Sequence, residues 1–270
     1  MNKRPIGVFD SGLGGLSAVR QLIKLLPNED IIYFGDTGRV PYGTRSFETI
    51  EKYARQDIRF LLEHDVKMII AACGTVSSVA PEIAADLPVP YISVVKPACY
   101  AAARETIRGK IGVIGTSATI SNGMYTRELL ELSGGFEVFP QACPMFVPLV
   151  EAGWIDPMDE ITQLIVRRYI RPLRSRGIDT LILGCTHYPL LSETIQKAMG
   201  SGVGLIDSGY EAANAAVRLL TREDMLNDRV QKGQCSFFVS DKIEGFSQIA
   251  GIFLGQRMEF DIQRVDIEMY

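Results

Sequence analysis

The chain has little histidine, an odd number of cysteines and no apolar segment long enough to cross a bilayer. Its 270 residues include two histidines and five cysteines, and no two cysteines form a Cys-x-x-Cys pair. Two histidines are too few for an ordinary zinc cage. Single cysteines argue against a disulfide scaffold and against a thioredoxin-type redox centre. We therefore expect free thiols in a reducing compartment and no bound metal.

The chain also lacks a strong excess of charge of either sign. It has 28 basic and 32 acidic side chains, a formal net charge of −4, which gives no electrostatic support for binding nucleic acid or an anionic membrane. Its longest strongly apolar stretches, such as residues 68–81, are shorter than the roughly 20 residues that span a bilayer. The apolar residues 6–9 are too few for a signal-peptide core. We expect a cytoplasmic protein with no nucleic-acid or membrane partner.

Short β-branched runs alternate along the chain with longer amphipathic stretches. Nine strands are predicted, at residues 6–9, 31–34, 68–72, 91–94, 111–115, 137–139, 180–183, 203–206 and 235–239. Helical spacing of apolar residues is found at 16–26, 47–63, 125–132, 160–174 and 210–220. Strands that are apolar throughout are typical of a parallel sheet buried on both faces. The alternation of strand and helix indicates α/β layers.

Two segments of the first half are repeated, loosely, in the second. Residues 6–11 resemble residues 111–116, and residues 68–75 resemble residues 180–187. Each half thus has a strand that ends in a small polar turn, followed by a strand that ends in cysteine. Two such pairs in the same order favour an internal duplication.

Cys73 and Cys185 are the cysteines that end these repeated strands. In a parallel sheet this position is the carboxyl edge, where open α/β folds bind ligands. Each cysteine precedes a helical stretch, and the positive end of a helix dipole favours thiolate. We therefore expect these two thiols to be functional. The other three have no such setting and are expected to be packing residues: Cys99, Cys143 and Cys235.

Two loops near the amino terminus contain turn-forming residues at strand ends. Residues 10–15 form a glycine-rich turn, but Ser17 stands where a dinucleotide fingerprint has its third glycine. The turn also lacks the Gly-Lys-Ser/Thr ending of a nucleotide P-loop. Its backbone N–H groups suit a small anion such as a carboxylate. Residues 36–37 and 41–43 follow the second strand, and alone they indicate either a binding loop or an ordinary turn.

Taken together and in order, these segments resemble the glutamate racemases of the aspartate/glutamate racemase superfamily. The matching motifs are residues 9–15, 35–36 with 41–43, 72–75, 149–153 and 184–189. The resemblance runs from the first strand to residues 246–255. It implies two similar α/β domains with mostly parallel central sheets, related by pseudo-twofold symmetry, with the active site in the cleft between them. We place the first domain at residues 1–95 with 207–270 and the second at 96–206.

The resemblance also implies an activity. It is the cofactor-independent racemisation of L-glutamate and D-glutamate, which supplies D-glutamate for peptidoglycan synthesis, by a homodimer. Residue by residue, the catalytic positions carried over are Cys73, Cys185, Asp10, His187 and Glu151. The substrate-binding positions carried over are Asp10, Ser11, Pro41, Tyr42, Gly43, Gly74, Thr75, Thr186 and His187. In this assignment the two thiols are the acid/base groups, and Asp10, His187 and Glu151 assist them.

Paired thiols make chemical sense for inverting a stereocentre. One base removes the α-proton from one face and a second group returns a proton to the other face, so the substrate does not have to turn over. A positioned acid–base pair contributes roughly 10²–10⁴-fold, and the carbanionic transition state needs electrostatic stabilisation besides. We expect Cys73 and Cys185 to face each other across the cleft, with Cα atoms farther apart than the about 7 Å limit of a disulfide.

One position departs from the family pattern. The family usually reads Cys-Asn-Thr at the first thiol, whereas this chain has Gly74 between Cys73 and Thr75. The Asn amide helps to hold the substrate, so its loss leaves open a racemase of aspartate or another acidic amino acid. A non-catalytic paralogue that binds an acidic ligand or a protein is the third reading. If glutamate is the substrate, restoring the amide by Gly74→Asn is expected to tighten its binding.

Overall fold

The computed structural model describes residues 2–79, 81–244, 246–255 and 261–270. These parts of the chain contain ten strands and eleven α-helices. The strands are β1 (Ile6–Asp10), β2 (Ile31–Gly35), β3 (Met68–Ala71), β4 (Tyr91–Ser93), β5 (Lys110–Gly115), β6 (Glu137–Ala142), β7 (Thr180–Leu183), β8 (Gly204–Asp207), β9 (Cys235–Val239) and β10 (Ile262–Arg264). The helices are α1 (Leu16–Leu25), α2 (Phe47–Glu63), α3 (Gly74–Val79), α4 (Val95–Glu105), α5 (Ser117–Asn122), α6 (Met124–Leu132), α7 (Phe146–Glu151), α8 (Glu160–Arg174), α9 (Ser192–Met199), α10 (Ser208–Arg222) and α11 (Phe246–Leu254).

The strands form two separate parallel sheets. The first has the order β10-β9-β2-β1-β3-β4 and the second the order β6-β5-β7-β8. Every adjacent pair is parallel. The order β2-β1-β3-β4 in the first sheet corresponds to β6-β5-β7-β8 in the second, strand for strand. This is the arrangement that the internal repeat predicts, and it confirms the α/β fold class with two parallel sheets.

All nine predicted strands form, and the tenth, β10, was not predicted. β10 has only three residues and pairs at the edge of the sheet, where Gln263 and Arg264 give it no apolar signal. The predicted helices also form, within two residues at each end. Several helices lie outside the five predicted ranges. One of them is α4, whose alanine-rich sequence has a weak apolar period and Pro97 near its start.

The two sheets share one hydrophobic core. The largest buried cluster contains Val8 and Leu16 from the first half together with Leu181 and Tyr188 from the second. Helix α10 leaves the second sheet at β8 and packs against both α1 and α4, and α11 also packs against α1. The two sheets are therefore held against each other. No helix in the described part of the chain is long and apolar enough to cross a membrane.

Candidate active site

The predicted functional side chains follow the carboxyl ends of the two central strand pairs. Asp10 is the last residue of β1, and Cys73 comes two residues after β3. In the second sheet, Cys185 comes two residues after β7, and Thr116, which was not among the predicted residues, follows β5. Because neighbouring strands are parallel, these residues lie at one edge of each sheet. Cys73 and Cys185 are 4% and 6% exposed, so both thiols lie inside the molecule.

Cys73 lies beside Asp10 and Ser11. Its Sγ donates to Ser11 Oγ at 3.3 Å, and Asp10 Oδ2 accepts from the Gly12 N–H at 3.0 Å. Burial, together with the negative charge of Asp10, raises the pKa of Cys73 to about 12. Burial also raises the pKa of Asp10, against the opposing effect of the His187 charge. Burial therefore outweighs any effect of the short helix α3 that follows Cys73, and it favours the thiol form there.

Cys185 has a basic partner instead. His187 Nδ1 lies 3.8 Å from Cys185 Sγ, and His187 Nε2 lies 3.1 Å from Glu151 Oε1. Burial alone would lower the pKa of His187, but the hydrogen bonds to Cys185 and Glu151 raise it to about 10. Glu151 thus touches the histidine and acts on the thiol through it. The ring of Phe253 in α11 packs edge-on against the imidazole, with 5.3 Å between ring centroids.

The two halves meet directly at these loops. A Cβ atom at Gly14 would overlap the His187 ring and lie 2.6 Å from Thr186 Oγ1, so only glycine allows this approach. On the other side of the site, Thr75 Oγ1 lies 3.3 Å from Thr116 Oγ1. Thr186 and His187 therefore contact the first half at Gly14, and Thr75 contacts the second half at Thr116.

Gly74 is a second point of close approach. Its Cα faces the carbonyl group of Gly184, and a Cβ atom at position 74 would overlap that oxygen. The prediction that Gly74→Asn tightens glutamate binding therefore meets a steric conflict, since the backbone of the other half occupies the space that the new side chain would need. Glycine at this position lets the two thiol-bearing loops pack backbone to backbone.

The loop at residues 41–43 turns its main chain, and not the side chain of Tyr42, toward the junction of the two halves. Pro41 is exposed, while the Tyr42 side chain is buried and points to Asp36 and Asp57, to both of which its hydroxyl bonds. Gly43 faces Thr116, because a Cβ atom there would lie 3.7 Å from Thr116 Cβ. The side chain of Tyr42 therefore anchors the loop, and its main chain faces the junction.

Sequence reasoning missed two residues of the junction. Thr116 caps α5 by accepting from the Thr119 N–H at 3.3 Å, and it contacts the Thr119 hydroxyl at 3.0 Å. The internal repeat held the signal for Thr116, because it pairs residue 116 with Ser11. Phe253 had no comparable signal, since a phenylalanine in an apolar helix reads as core. No group of three or more His, Cys, Asp or Glu side chains within the described ranges is arranged to hold a metal ion.

Comparison with known proteins agrees with this geometry. The Asp/Glu/Hydantoin racemase family matches residues 6–216. A glutamate racemase from Geobacter metallireducens is 42% identical over 266 residues, 98% of this chain and 97% of that protein. The crystal structure of glutamate racemase isoform RacE1 from Bacillus anthracis superposes with a TM-score of 0.93 at 36% identity, covering 98% of both chains. That of the Francisella tularensis glutamate racemase in complex with D-glutamate gives 0.92 at 37% identity, covering 100% of both. The chain belongs to the Asp/Glu/Hydantoin racemase family and, within it, to the glutamate racemases.

Proposed function

We propose that this chain interconverts L-glutamate and D-glutamate with two thiols and no cofactor. The observation that carries the proposal is the pair of buried cysteines, each after the equivalent strand of its sheet and each with its own polar partners. Likeness to glutamate racemases over nearly the whole chain supports glutamate as the substrate. A relative solved with bound D-glutamate supports an acidic amino acid as ligand.

The polar partners assign a resting protonation state. His187 keeps its proton at neutral pH, because its pKa is raised to about 10. Its Nδ1–H can then donate to Cys185 Sγ and stabilise negative charge on that sulfur. Cys73 stays a thiol, because burial raises its pKa. We assign the base to Cys185 and the acid to Cys73, the pair that a two-base racemisation uses in one direction.

The proton balance of one turnover follows. The Cys185 thiolate takes the α-proton from one face of the substrate and becomes a thiol. The Cys73 thiol gives its proton to the opposite face of the carbanion and becomes a thiolate. The enzyme that releases product therefore has its protons exchanged between the two sulfurs, and this form catalyses the reverse direction.

We assign hydroxyl donors to the substrate's two carboxylates. Ser11, beside Cys73, and Thr75 supply them from the first half, and Thr186 supplies one from the second. Thr116 lies beside Thr75 and faces Gly43, so we add it to the binding residues. Asp10, on the Cys73 side, is the acceptor that suits the substrate ammonium.

We extend the proposal to the assembly and its setting. The two domains are residues 1–95 with 207–270 and residues 96–206, a division supported by the strands of each sheet falling within one domain, apart from Asp207 at the end of β8. The chain functions in the cytoplasm as a homodimer, with an acidic amino acid as its small-molecule partner. Its product supplies D-glutamate for peptidoglycan synthesis.

The deciding experiment measures solvent exchange and optical activity together. The protein is incubated in D₂O with L-glutamate, D-glutamate, L-aspartate or D-aspartate in parallel. Circular dichroism follows the loss of optical activity, and mass spectrometry follows deuterium at the α-carbon. We expect both enantiomers of glutamate to reach a racemic mixture and to gain deuterium.

The other outcomes separate the alternatives. Turnover of aspartate without turnover of glutamate would replace the substrate and leave the two-thiol chemistry in place. No exchange with any of the four, in protein that is folded by circular dichroism, would favour a non-catalytic binding paralogue.

A further inference from the structure

A cluster of buried charged groups lies behind the substrate loop, outside the thiol site. Asp36 and Asp57 are fully buried, and a single guanidinium group, that of Arg39, lies between them. Arg39 Nε donates to Asp36 Oδ2 at 2.6 Å, and Nη2 donates to Asp57 Oδ1 at 3.2 Å. Two carboxyl groups therefore share one adjacent cation.

The hydroxyl of Tyr42 completes this cluster. It is within hydrogen-bond distance of Asp36 Oδ2 and lies 3.2 Å from Asp57 Oδ2. A tyrosine hydroxyl has one hydrogen to donate, so it cannot donate to both carboxyl groups. The shorter contact is to Asp36, and Asp36 Oδ1 already accepts from Ser240 Oγ at 2.7 Å. Asp57 must then supply the hydrogen of its own contact with Tyr42.

Charge balance leads to the same assignment. With Asp57 as a neutral carboxylic acid, the negative charge of Asp36 and the positive charge of Arg39 cancel among the buried groups; Glu268, which also contacts Arg39, is more than half exposed to solvent. Burial and the nearby charge of Asp36 raise the pKa of Asp57 well above its usual value. Hydrogen bonds then run in one direction, from Asp57 to Tyr42 and from Tyr42 to Asp36.

Arg39 is itself fixed on all sides. Its Nη1 donates to Gln56 Oε1 at 2.6 Å and to Glu268 Oε1 at 3.2 Å. Its guanidinium carbon lies 4.0 Å from the ring centroid of Tyr53. Gln56 in turn donates to the carbonyl oxygen of Ile267 at 3.3 Å. The cluster therefore connects the substrate loop to α2 and to the C-terminal segment.

We propose that Asp57, as a neutral carboxylic acid, and Arg39 are positioning residues that hold the turn at residues 42–43 in its substrate-binding arrangement. The inference rests on the proposed function, since it assigns residues 42–43 to the binding of a substrate carboxylate. Neither Asp57 nor Arg39 touches the reacting atoms. Their effect therefore falls on substrate binding and not on proton transfer.

The test compares two substitutions of similar size at position 57. In Asp57→Asn the amide can donate to Tyr42 and its oxygen can accept from Arg39, so both contacts are retained. In Asp57→Leu both are lost. We expect KM for glutamate and kcat within about twofold of wild type for Asp57→Asn. For Asp57→Leu we expect KM to rise about tenfold with little change in kcat.

A double-mutant cycle tests whether Asp57 acts through Tyr42. Tyr42→Phe removes one oxygen atom and is expected to raise KM as Asp57→Leu does. Both changes break the same chain of hydrogen bonds. The double variant should therefore have a KM close to that of the single variant with the higher KM, and its increase should not equal the product of the two single increases. Near-UV circular dichroism checks that each variant is folded. If Asp57→Leu does not fold, Tyr42→Phe and Asp57→Asn still decide the question.

Several results would overturn the inference. Asp57→Asn as impaired as Asp57→Leu would mean that an ionised carboxylate is required at position 57. A fall in kcat with unchanged KM, in folded Tyr42→Phe, would place the hydroxyl in the chemistry. Multiplicative effects in the double variant would separate the two residues. Failure of the wild-type enzyme to turn over any acidic amino acid would instead overturn the proposed function, and this inference with it.

Discussion

The two thiols occupy equivalent positions in two sheets of the same strand order, yet their surroundings differ in charge. Cys73 lies beside the carboxyl group of Asp10 and the hydroxyl of Ser11. Cys185 lies beside His187, whose other ring nitrogen contacts Glu151. An acid neighbours one sulfur and a base neighbours the other. The internal repeat places the two thiols at equivalent strand ends, and sequence differences between the halves give them different neighbouring side chains.

Two-base racemisation needs one thiol and one thiolate at the start of each turnover. Two neighbouring thiols in identical surroundings also reach such a state, because the first thiolate disfavours a second, but neither sulfur would then be the preferred base. Burial and the carboxyl group of Asp10 disfavour thiolate at Cys73, whereas His187 Nδ1 lies within reach of Cys185 Sγ. The asymmetry of the partners therefore favours Cys73 as the sulfur that holds its proton at rest.

The largest expected effect comes from removing either thiol. Cys73→Ala and Cys185→Ala should each lower racemisation in both directions by at least about 10²–10⁴-fold, because every turnover uses both sulfurs. Circular dichroism of glutamate solutions measures the rate. Cys235→Ala is the matched control, since Cys235 lies at the start of β9 in the sheet that carries Cys73 and is expected to be a packing residue. Full activity of Cys73→Ala in both directions would remove the two-thiol mechanism.

The polar partners are expected to have smaller and unequal effects. Asp10→Asn changes the Cys73 side and His187→Asn the Cys185 side, so each should lower the two kcat values by different factors, of about 10- to 100-fold. The equilibrium constant stays at unity, since enantiomers have equal free energy, so the ratio of the two KM values must equal the ratio of the two kcat values. Initial rates from L- and D-glutamate measure both. Equal and negligible changes in both variants would reduce Asp10 and His187 to structural groups.

Gly74 is where the backbones on the two sides meet, and substitution there should push them apart. Gly74→Asn and Gly74→Ala both add a Cβ atom where the Gly184 carbonyl oxygen lies. We expect a loss of about 1–3 kcal/mol in the free energy of unfolding and a lower kcat/KM for glutamate. Gly134→Ala is the control, because nothing lies within 4 Å of its added Cβ. Tighter glutamate binding by a stable Gly74→Asn protein would contradict this packing.

The positions of the two thiols could be predicted from the sequence, whereas their surroundings could not, for a physical reason. Strand periodicity placed Cys73 and Cys185, because a buried parallel strand ends where its apolar run ends. The repeat indicated that the two sites correspond. Periodicity could not show that Gly74 faces Gly184, since contacts between distant segments leave no local pattern. The pKa of Cys73 could not be predicted either, because it depends on burial and on the nearby carboxyl group of Asp10, which is 63 positions away in the sequence.

The smallest effect expected is on the pH dependence of stability, and it tests the difference between the surroundings of Cys73 and those of Cys185. The pKa of His187 is raised from 6.5 to about 10 in the folded protein. Folding therefore favours the protonated ring. The resulting stabilisation is fully present below pH 6.5 and is lost as pH rises through about 10. His187→Asn removes this contribution, so the Tm of wild type should exceed that of the variant more at about pH 6 than at about pH 10.

Thermal unfolding of both proteins at the two pH values measures the change. Each kcal/mol of lost stabilisation corresponds to about 2–4 °C in Tm for a chain of this size. His64→Asn controls for the loss of a histidine, because His64 lies away from the thiols, against Phe60 and Phe238. A difference between wild type and His187→Asn that is constant across this range would mean that His187 is not held protonated by Cys185 and Glu151. The resting state with a Cys185 thiolate would then lose its support, whereas the assignment of Cys73 as the thiol, which depends on burial and on Asp10, would stand.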